Sequence, residues 1–261
     1  MNKFICIHGH FYQPPRENPW LEAVSYQDSA YPFHDWNERV NAECYAPNTR
    51  ARILDEKGFI VEMVNNYSRI SFNFGPTLLS WMESHTEETY NAILEADKNS
   101  IARFSGHGSA IAQCYSHMIM PLASTRDKYT QIYWGIRDFE KRFNRIPEGM
   151  WLPETAVNNA TMEIMSDLGI RYTVLAPSQA GRFKIHGQED WQTEESQALD
   201  VSKPYAVSLP SGKSFSVFFY DGPLSQSIAF ENILQNGERF ASKLLDAFSD
   251  TEDKVRLLSV A

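Results

Sequence analysis

Residues that could do chemistry stand at the ends of several apolar segments. His8 and His10 close the run KFICIHGH, Glu154 lies in MWLPETA, and Asp221 follows the apolar segment SFSVFFY. Two carboxylates that converge on one pocket can divide the roles of acid and nucleophile, because mutual repulsion and desolvation separate their pKa values. Such a pair is the minimum set of catalytic groups for cleaving a glycosidic bond.

Both carboxylates also have structural explanations. Glu154 could interact with the amino terminus of the helix that follows it, and Asp221 could begin a turn with Gly222 and Pro223. Position alone leaves the structural and the catalytic roles open for each residue.

The histidine pair has three interpretations. His8 and His10 share one face if KFICIHGH is a strand. In metal-dependent amidohydrolases and deacetylases such a pair begins a metal site, here with a carboxylate such as Asp221. Neutral imidazoles can instead hydrogen-bond a sugar hydroxyl, or serve only the core. A metal site needs more ligands, and the other histidines (34, 85, 107, 117 and 186) contain no HxxxH pair.

Further polar and aromatic residues are candidates for binding. Gln113 and His117, in QCYSHMIMP, could face the same pocket as the first histidines. Trp20, Trp151 and Tyr220 are candidate platforms on which a sugar ring could stack, although a tryptophan near a strand end commonly belongs to the core.

Strand-like and helix-like segments alternate along the chain, which favours an α/β fold with parallel units wound as a barrel or a doubly wound sheet. Apolar runs predict strands at KFICIHGH, SRISFNF, EGMWLPE, IRYTVLAP and KVRLLSVA, with a hairpin at PYAVSL and SFSVFFY. Periodicity predicts helices around 39–57 and at TLLSWMESH, EETYNAILEADK, TRDKYTQIYWGIRDFEKRFNR, NNATMEIMSDLG and ERFASKLLDAFSD. In this architecture reacting groups gather at the carboxyl ends of strands.

Composition limits the class of protein. The 261 residues carry a net charge of -9 without a basic block, which argues against nucleic acid or an anionic membrane as a partner. The apolar run FICI is too short for a signal peptide or a membrane span, so we expect a cytoplasmic protein. We expect one domain over residues 1–261. KVRLLSVA ends the chain on an apolar strand, from which we expect a protein truncated at this end.

Four segments in order resemble the motifs of glycoside hydrolase family 57, retaining enzymes that act on α-glucans. IHGHFYQPP resembles the first motif, with Phe11 and Tyr12 inserted before Gln13 and Pro14. GSAIAQCYSHMIMPL resembles the second, MWLPETA the third and FFYDGPLSQSIAF the fourth. The resemblance runs from residue 8 to residue 230, and the fifth motif has no counterpart.

The resemblance implies a fold, an activity and roles for individual residues. It implies an incomplete seven-stranded (β/α) barrel, with Glu154 as nucleophile and Asp221 as acid/base. It further implies that His8, His10, Gln13 and His117 contact an oligo- or polysaccharide, without a cofactor or a metal. Two alternatives stay open: a metal-dependent amidohydrolase or deacetylase that uses His8 and His10, and a carbohydrate-binding protein that has lost the chemistry.

Overall fold

The computed structural model describes residues 3–185, 187, 189–193, 198–248 and 256–261. Its strands are β1 (Lys3–Phe11), β2 (Glu17–Asn18), β3 (Ala23–Val24), β4 (Ala51–Leu54), β5 (Ile60–Val64), β6 (Ser71–Phe74), β7 (Ala112–Gln113), β8 (Met150–Trp151), β9 (Tyr172–Leu175), β10 (Tyr205–Ser208), β11 (Ser214–Phe219) and β12 (Arg256–Val260). The predicted strands are confirmed where they are described.

The predicted helices occur in order, and the structure adds α7, which the sequence pattern does not predict. The α-helices are α1 (Trp36–Val40), α2 (Ala46–Thr49), α3 (Pro76–His85), α4 (Glu87–Arg103), α5 (Thr125–Phe143), α6 (Asn159–Asp167), α7 (Gly222–Phe230) and α8 (Gly237–Asp246). A π-helical segment, Asn41–Tyr45, joins α1 to α2. The end of the last predicted helix, residues 249 and 250, lies outside the described residues, as does His186.

The chain divides into two compact units. The first unit contains Met1–His8, Ile119–Leu122 and Gly149–Ala261, and the second contains Gly9–Met118 and Ala123–Glu148. The expectation of a single domain stays a prediction, since compact units of one chain can belong to one folding domain.

Parallel strands organise the first unit. The start of β1 pairs in parallel with β12, from Lys3 opposite Arg256 to Ile7 opposite Val260. β9 pairs in parallel with β11, which in turn pairs antiparallel with β10 in the predicted hairpin. This arrangement aligns the carboxyl ends of β9 and β11, and Asp221 follows the second of them.

β1 is not covered on both faces, although its apolar sequence is typical of a buried parallel strand. Phe4 and Ile5 are 54% and 43% exposed, whereas His8 is buried. The core of this end of the unit lies instead beneath α7, α8 and β12, where Leu224, Leu244 and Leu258 pack together. Burial of these apolar side chains stabilises the end of β12 beside β1.

The core of the second unit is rich in aromatic side chains. Phe11 stacks on Phe74 with ring centroids 4.7 Å apart and meets the edges of Tyr45 and Tyr67. The backbone N–H of Gly75 donates to the carbonyl oxygen of Phe11 over 2.9 Å. The end of β1 and the end of β6 are thereby held together, which places His10 near Asn73.

The predicted helix around residues 39–57 is wrong in its second half. The helical segments end at Thr49, and residues 51–64 form the antiparallel hairpin of β4 and β5. Asp55 explains the change, because its carboxylate accepts the backbone N–H groups of Lys57 and Phe59 and closes a tight turn. Gly58 supplies the positive φ of 82° that this turn requires.

Candidate active site

Glu154 stands in a tight turn directly after a buried strand. The 3₁₀ turn Pro153–Thr155 follows β8, and the backbone of Glu154 is left-handed, with φ 55° and ψ 22°. Thr155 shares this conformation, with φ 52°. Left-handed backbone in residues other than glycine is strained and concentrates at functional sites. The Glu154 carboxylate is exposed, and among the described residues it has no hydrogen-bond or ion-pair partner.

The structural explanation considered for Glu154 does not apply to the helix after it. Asn158 is the N-cap of α6, and its Oδ1 accepts a hydrogen bond from Thr161 N over 2.9 Å. The amino terminus of α6 is therefore capped by another side chain. Glu154 is left as a free carboxylate in a conformation that costs free energy.

Asp221 does have a structural role. Its Oδ1 accepts a hydrogen bond from Leu224 N over 2.9 Å and thus caps α7, with Pro223 in the first turn. Its backbone N–H donates to Ser259 O over 2.7 Å, which ties the residue to β12. Among the described residues, no group donates to Oδ2. The cap fixes the orientation of the carboxyl group and leaves one of its oxygens for other chemistry.

The aromatic candidates of the first unit differ in exposure. Trp151 is buried, and its ring stacks on that of His8 with centroids 4.8 Å apart and 17° between the planes. Tyr220 is half-buried, and its backbone N–H donates to Leu175 O over 3.2 Å. Trp20, in the second unit, is 91% exposed.

A polar cluster in the second unit brings His10 and His117 together. The two Nε2 atoms lie 3.1 Å apart, and the rings stack with centroids 5.2 Å apart. Tyr12, one of the two inserted residues, stacks on His117 with centroids 3.8 Å apart. His117 has a left-handed backbone, with φ 54°. His10 of the first motif and His117 of the second therefore meet in this unit.

Two buried amides complete this cluster. Asn73 is fully buried, and its Nδ2 lies 3.0 Å from His10 Nδ1 and donates to Gln113 Oε1. Gln113 is 2% exposed. Asn73 is not among the residues that the sequence motifs nominate, although it is a polar residue between two phenylalanines at the end of a predicted strand.

Gln13 lies apart from these contacts within the same unit. Its Nε2 donates to the Tyr45 hydroxyl over 3.4 Å, and its Oε1 accepts from Arg16 over 2.8 Å. The Gln13 amide is therefore held at one end by Arg16, in the loop that follows β1, and at the other by Tyr45, in the π-helical segment. Of the two inserted residues, Phe11 ends β1 and Tyr12 begins this loop.

Burial and a second histidine keep His10 neutral. Desolvation by burial, and next the neighbouring His117, lower the pKa of His10 from 6.5 to about 4. At neutral pH the imidazole of His10 can therefore donate one hydrogen bond and accept another.

Potential metal ligands meet elsewhere in the second unit. Among the residues that the structure describes, one group brings three such side chains within reach of one ion: His34, Asp35 and Glu38. These side chains are occupied in capping α1, since Asp35 accepts from Asn37 N and Glu38 N, and Glu38 accepts from His34 N. In the same described residues His8 and His10 belong to no such group.

Comparison with known proteins decides the family. The model of glycosyl hydrolase family 57 matches residues 5–260. The chain belongs to glycosyl hydrolase family 57. Among curated proteins none matches this family 57 chain. Within the described residues, no helix is both long and apolar enough to cross a membrane.

Solved structures share the fold of this family 57 chain. The 4-α-glucanotransferase from Thermococcus litoralis is 16% identical, with a TM-score of 0.63 over 99% of this chain and 32% of its own. The exo-type maltose-forming amylase from Pyrococcus sp. ST04 is 18% identical, with a TM-score of 0.65 over 100% and 42%. The family 57 branching enzyme from Thermococcus kodakaraensis is 13% identical, with a TM-score of 0.60 over 98% and 63%.

These structures confirm the predicted α/β fold of the family 57 type. The chain spans about a third to under two thirds of the length of these enzymes. At 13% to 18% identity the likeness concerns the fold.

Proposed function

We propose that this family 57 chain provides the catalytic residues of a retaining glycoside hydrolase or glucanotransferase acting on α-linked glucans. The observation that carries the proposal is Glu154, a free carboxylate held in strained backbone directly after a strand, within the MWLPETA motif. Family membership and the named activities of the structural neighbours support the same reaction class.

The proposed reaction is a double displacement. Glu154 attacks the anomeric carbon, and the bond from that carbon to the departing glycosidic oxygen breaks while Asp221 gives its proton to this oxygen. A glycosyl ester on Glu154 results. The Asp221 carboxylate then takes a proton from water or from a sugar hydroxyl, which attacks the anomeric carbon and releases Glu154. Water as the second nucleophile gives hydrolysis, and a sugar hydroxyl gives transfer.

The other candidate residues would bind the sugar. We assign His8, His10, Gln13, His117, Trp151 and Tyr220 to substrate binding, with an oligo- or polysaccharide as the partner. A neutral imidazole such as that of His10 suits a sugar hydroxyl, because it can donate and accept without burying a charge. The burial of Trp151 against His8 gives it a supporting part in orienting that imidazole.

Two near-isosteric substitutions test the carboxylates. We expect Glu154→Gln and Asp221→Asn each to reduce turnover of maltooligosaccharides by at least about 10³-fold, because each loses a group that acts in the transition state. Asp221→Asn should not disturb α7, because asparagine caps a helix as well as aspartate does and the N-cap is kept. Denaturant unfolding checks that both variants retain the native stability. Retained turnover in either would remove that residue from the mechanism.

An activated substrate separates the two roles. An aryl α-glucoside with a good leaving group needs no protonation in the first step, so Asp221→Asn should form the glycosyl-enzyme and accumulate it, whereas Glu154→Gln should not. Mass spectrometry of the rapidly quenched protein detects the covalent adduct. Binding of oligosaccharide by the wild-type chain without any turnover would favour the carbohydrate-binding alternative. If the protein contains a stoichiometric metal and loses its activity when that metal is removed, the result would favour the deacetylase alternative.

A further inference from the structure

Asn73 lies at the centre of the polar cluster of the second unit, and the mechanism above gives it no part. It is 0% exposed, and its Nδ2 lies 3.0 Å from His10 Nδ1 and donates to Gln113 Oε1. We propose that Asn73 is a positioning residue that fixes His10 as the tautomer protonated on Nε2 and holds the Gln113 amide in one orientation.

The placement of Gln113 Oε1 against Asn73 determines which atom of Asn73 faces which partner. Gln113 Oε1 can only accept a hydrogen bond, so the atom of Asn73 that meets it must be the amino nitrogen. The same nitrogen is 3.0 Å from His10 Nδ1, closer than Asn73 Oδ1 at 3.3 Å. An amino group carries two N–H bonds, one for each partner. A donor that faces Nδ1 leaves this nitrogen as an acceptor, and the ring proton then belongs on Nε2.

This tautomer gives the contact between the histidines a direction. His10 Nε2 is 3.1 Å from His117 Nε2, and with the proton on His10 it donates to His117. His117 then accepts at Nε2 and carries its own proton on Nδ1. Donation therefore runs from Asn73 through His10 to His117, and both rings present a defined pattern of donors and acceptors.

The same amino group orients Gln113. With Oε1 held by Asn73, Gln113 Nε2 points towards Gly75 and Tyr12: a Cβ placed on Gly75 would lie 3.3 Å from this nitrogen. Gln113 Nε2 is buried and has no hydrogen-bond partner among the described residues. A buried donor without a partner costs free energy, which a hydroxyl group of a bound sugar would recover. This last step rests on the proposed function, whereas the tautomer of His10 does not.

The tautomer can be read directly from the wild-type protein. The protein is labelled with ¹⁵N-histidine, and long-range ¹H–¹⁵N correlation spectra at neutral pH are assigned with His10→Gln and His117→Gln. We expect His10 to show a pyrrole-type Nε2 and a pyridine-type Nδ1. A His10 ring protonated on Nδ1, or one that exchanges between tautomers, would overturn the proposal.

A nearly isosteric substitution tests whether Asn73 is the cause. In Asn73→Asp a carboxylate replaces the donor, so His10 should become protonated on Nδ1 and its pKa should rise by roughly 1 to 3 pH units. Asn66→Asp is the matched control, because Asn66 also donates to an amide oxygen, that of Asn48, and should leave His10 unchanged. An unaltered His10 tautomer in Asn73→Asp contradicts the proposal.

The wild-type spectrum remains decisive if Asn73→Asp does not fold. The spectra are recorded without substrate, so they test the tautomer independently of catalysis. A protein that fails to turn over glucans but shows the expected tautomer would count against the proposed function alone. Conversely, an active enzyme with His10 protonated on Nδ1 would refute the role of Asn73 alone.

Discussion

Left-handed backbone marks two of the residues that matter most, Glu154 and His117. Glutamate rarely adopts this conformation, whereas histidine, like asparagine and aspartate, is enriched in it. The motifs predicted both residues as candidates, but nothing in the type of Glu154 predicted the backbone that presents it. Such conformations persist only where surrounding contacts determine them, and those contacts join segments far apart in sequence.

The low pKa of His10 predicts how stability depends on pH. His10 titrates near 6.5 when unfolded and at about 4 when folded, because burial and His117 oppose its charge. At pH values between these two, the unfolded chain binds more protons at this site, so the contribution of His10 to the free energy of unfolding is highest above pH 6.5. It should fall by on the order of 3 kcal/mol as the pH drops to 4.

Urea unfolding of the wild type and His10→Gln at intervals from pH 4 to 8 tests this dependence. The difference between the two proteins should change steeply between pH 4 and 6.5 and level off from pH 7 to 8, where His10 is neutral in both states. The two rings that face His10, His117 and Tyr12, remain in both proteins. A constant difference over the whole range would show that His10 is not held neutral.

At the level of elements, the sequence predicted the long regular segments best. α5 repeats its apolar residues at helical spacing over nineteen residues, and Ser124 caps it by accepting from Asp127 N. The secondary structure of the segment 39–57 was harder to predict, because Ile53 and Leu54 fit a helix or a strand equally well when the sequence pattern alone is considered. The turn at Asp55 and Gly58 decides between them, and the periodicity of the sequence alone places this turn within the helix.

One glycine sets how closely α5 approaches β7 in the second unit. A Cβ on Gly135 would collide with the carbonyl oxygen of Gln113 and lie 3.1 Å from its carbonyl carbon. We expect Gly135→Ala to lower the free energy of unfolding by about 1 to 3 kcal/mol, although alanine is the better helix former. It should also weaken glucan turnover, because Gln113 must move.

Gly237→Ala is the matched control for this substitution. Gly237 is also helical, as the first residue of α8, but a Cβ there meets no atom within 4 Å. Its free energy of unfolding should stay within about 0.5 kcal/mol of the wild type. If Gly135→Ala is as stable as Gly237→Ala in chemical denaturation, the close packing of α5 on β7 does not require a glycine at position 135.

For the molecule as a whole, the alternation of strands and helices sufficed to predict the α/β class, and the ordered motifs predicted the family. The placement of individual polar groups did not follow from either. Asn73 and Gln113 meet because β6 and β7 are brought together, although they are forty residues apart in the chain. The sequence also did not predict which apolar side chains are exposed, because the same apolar residue types occur on covered and on uncovered faces of a strand.

The hairpin of β4 and β5 presents such an uncovered apolar surface. Its exposed side chains are 45% to 68% accessible, namely Ile53, Leu54, Phe59, Ile60, Val61 and Met63. Contiguous apolar patches and the open edges of a two-stranded sheet both favour association between copies. Charge repulsion opposes this association, and it vanishes near the sequence pI of about 5.3.

We therefore expect the triple variant Phe59→Ser, Val61→Thr and Met63→Gln to remain monodisperse closer to pH 5.3 than the wild type does. Static light scattering from pH 7.5 downwards gives the onset of association. The control replaces exposed apolar residues that lie apart from the hairpin, with Leu21→Gln and Ile146→Thr, and should behave as the wild type. Because the three side chains face solvent, the triple variant should unfold at a similar denaturant concentration. An unchanged onset of association would mean that the hairpin is not the surface through which copies meet.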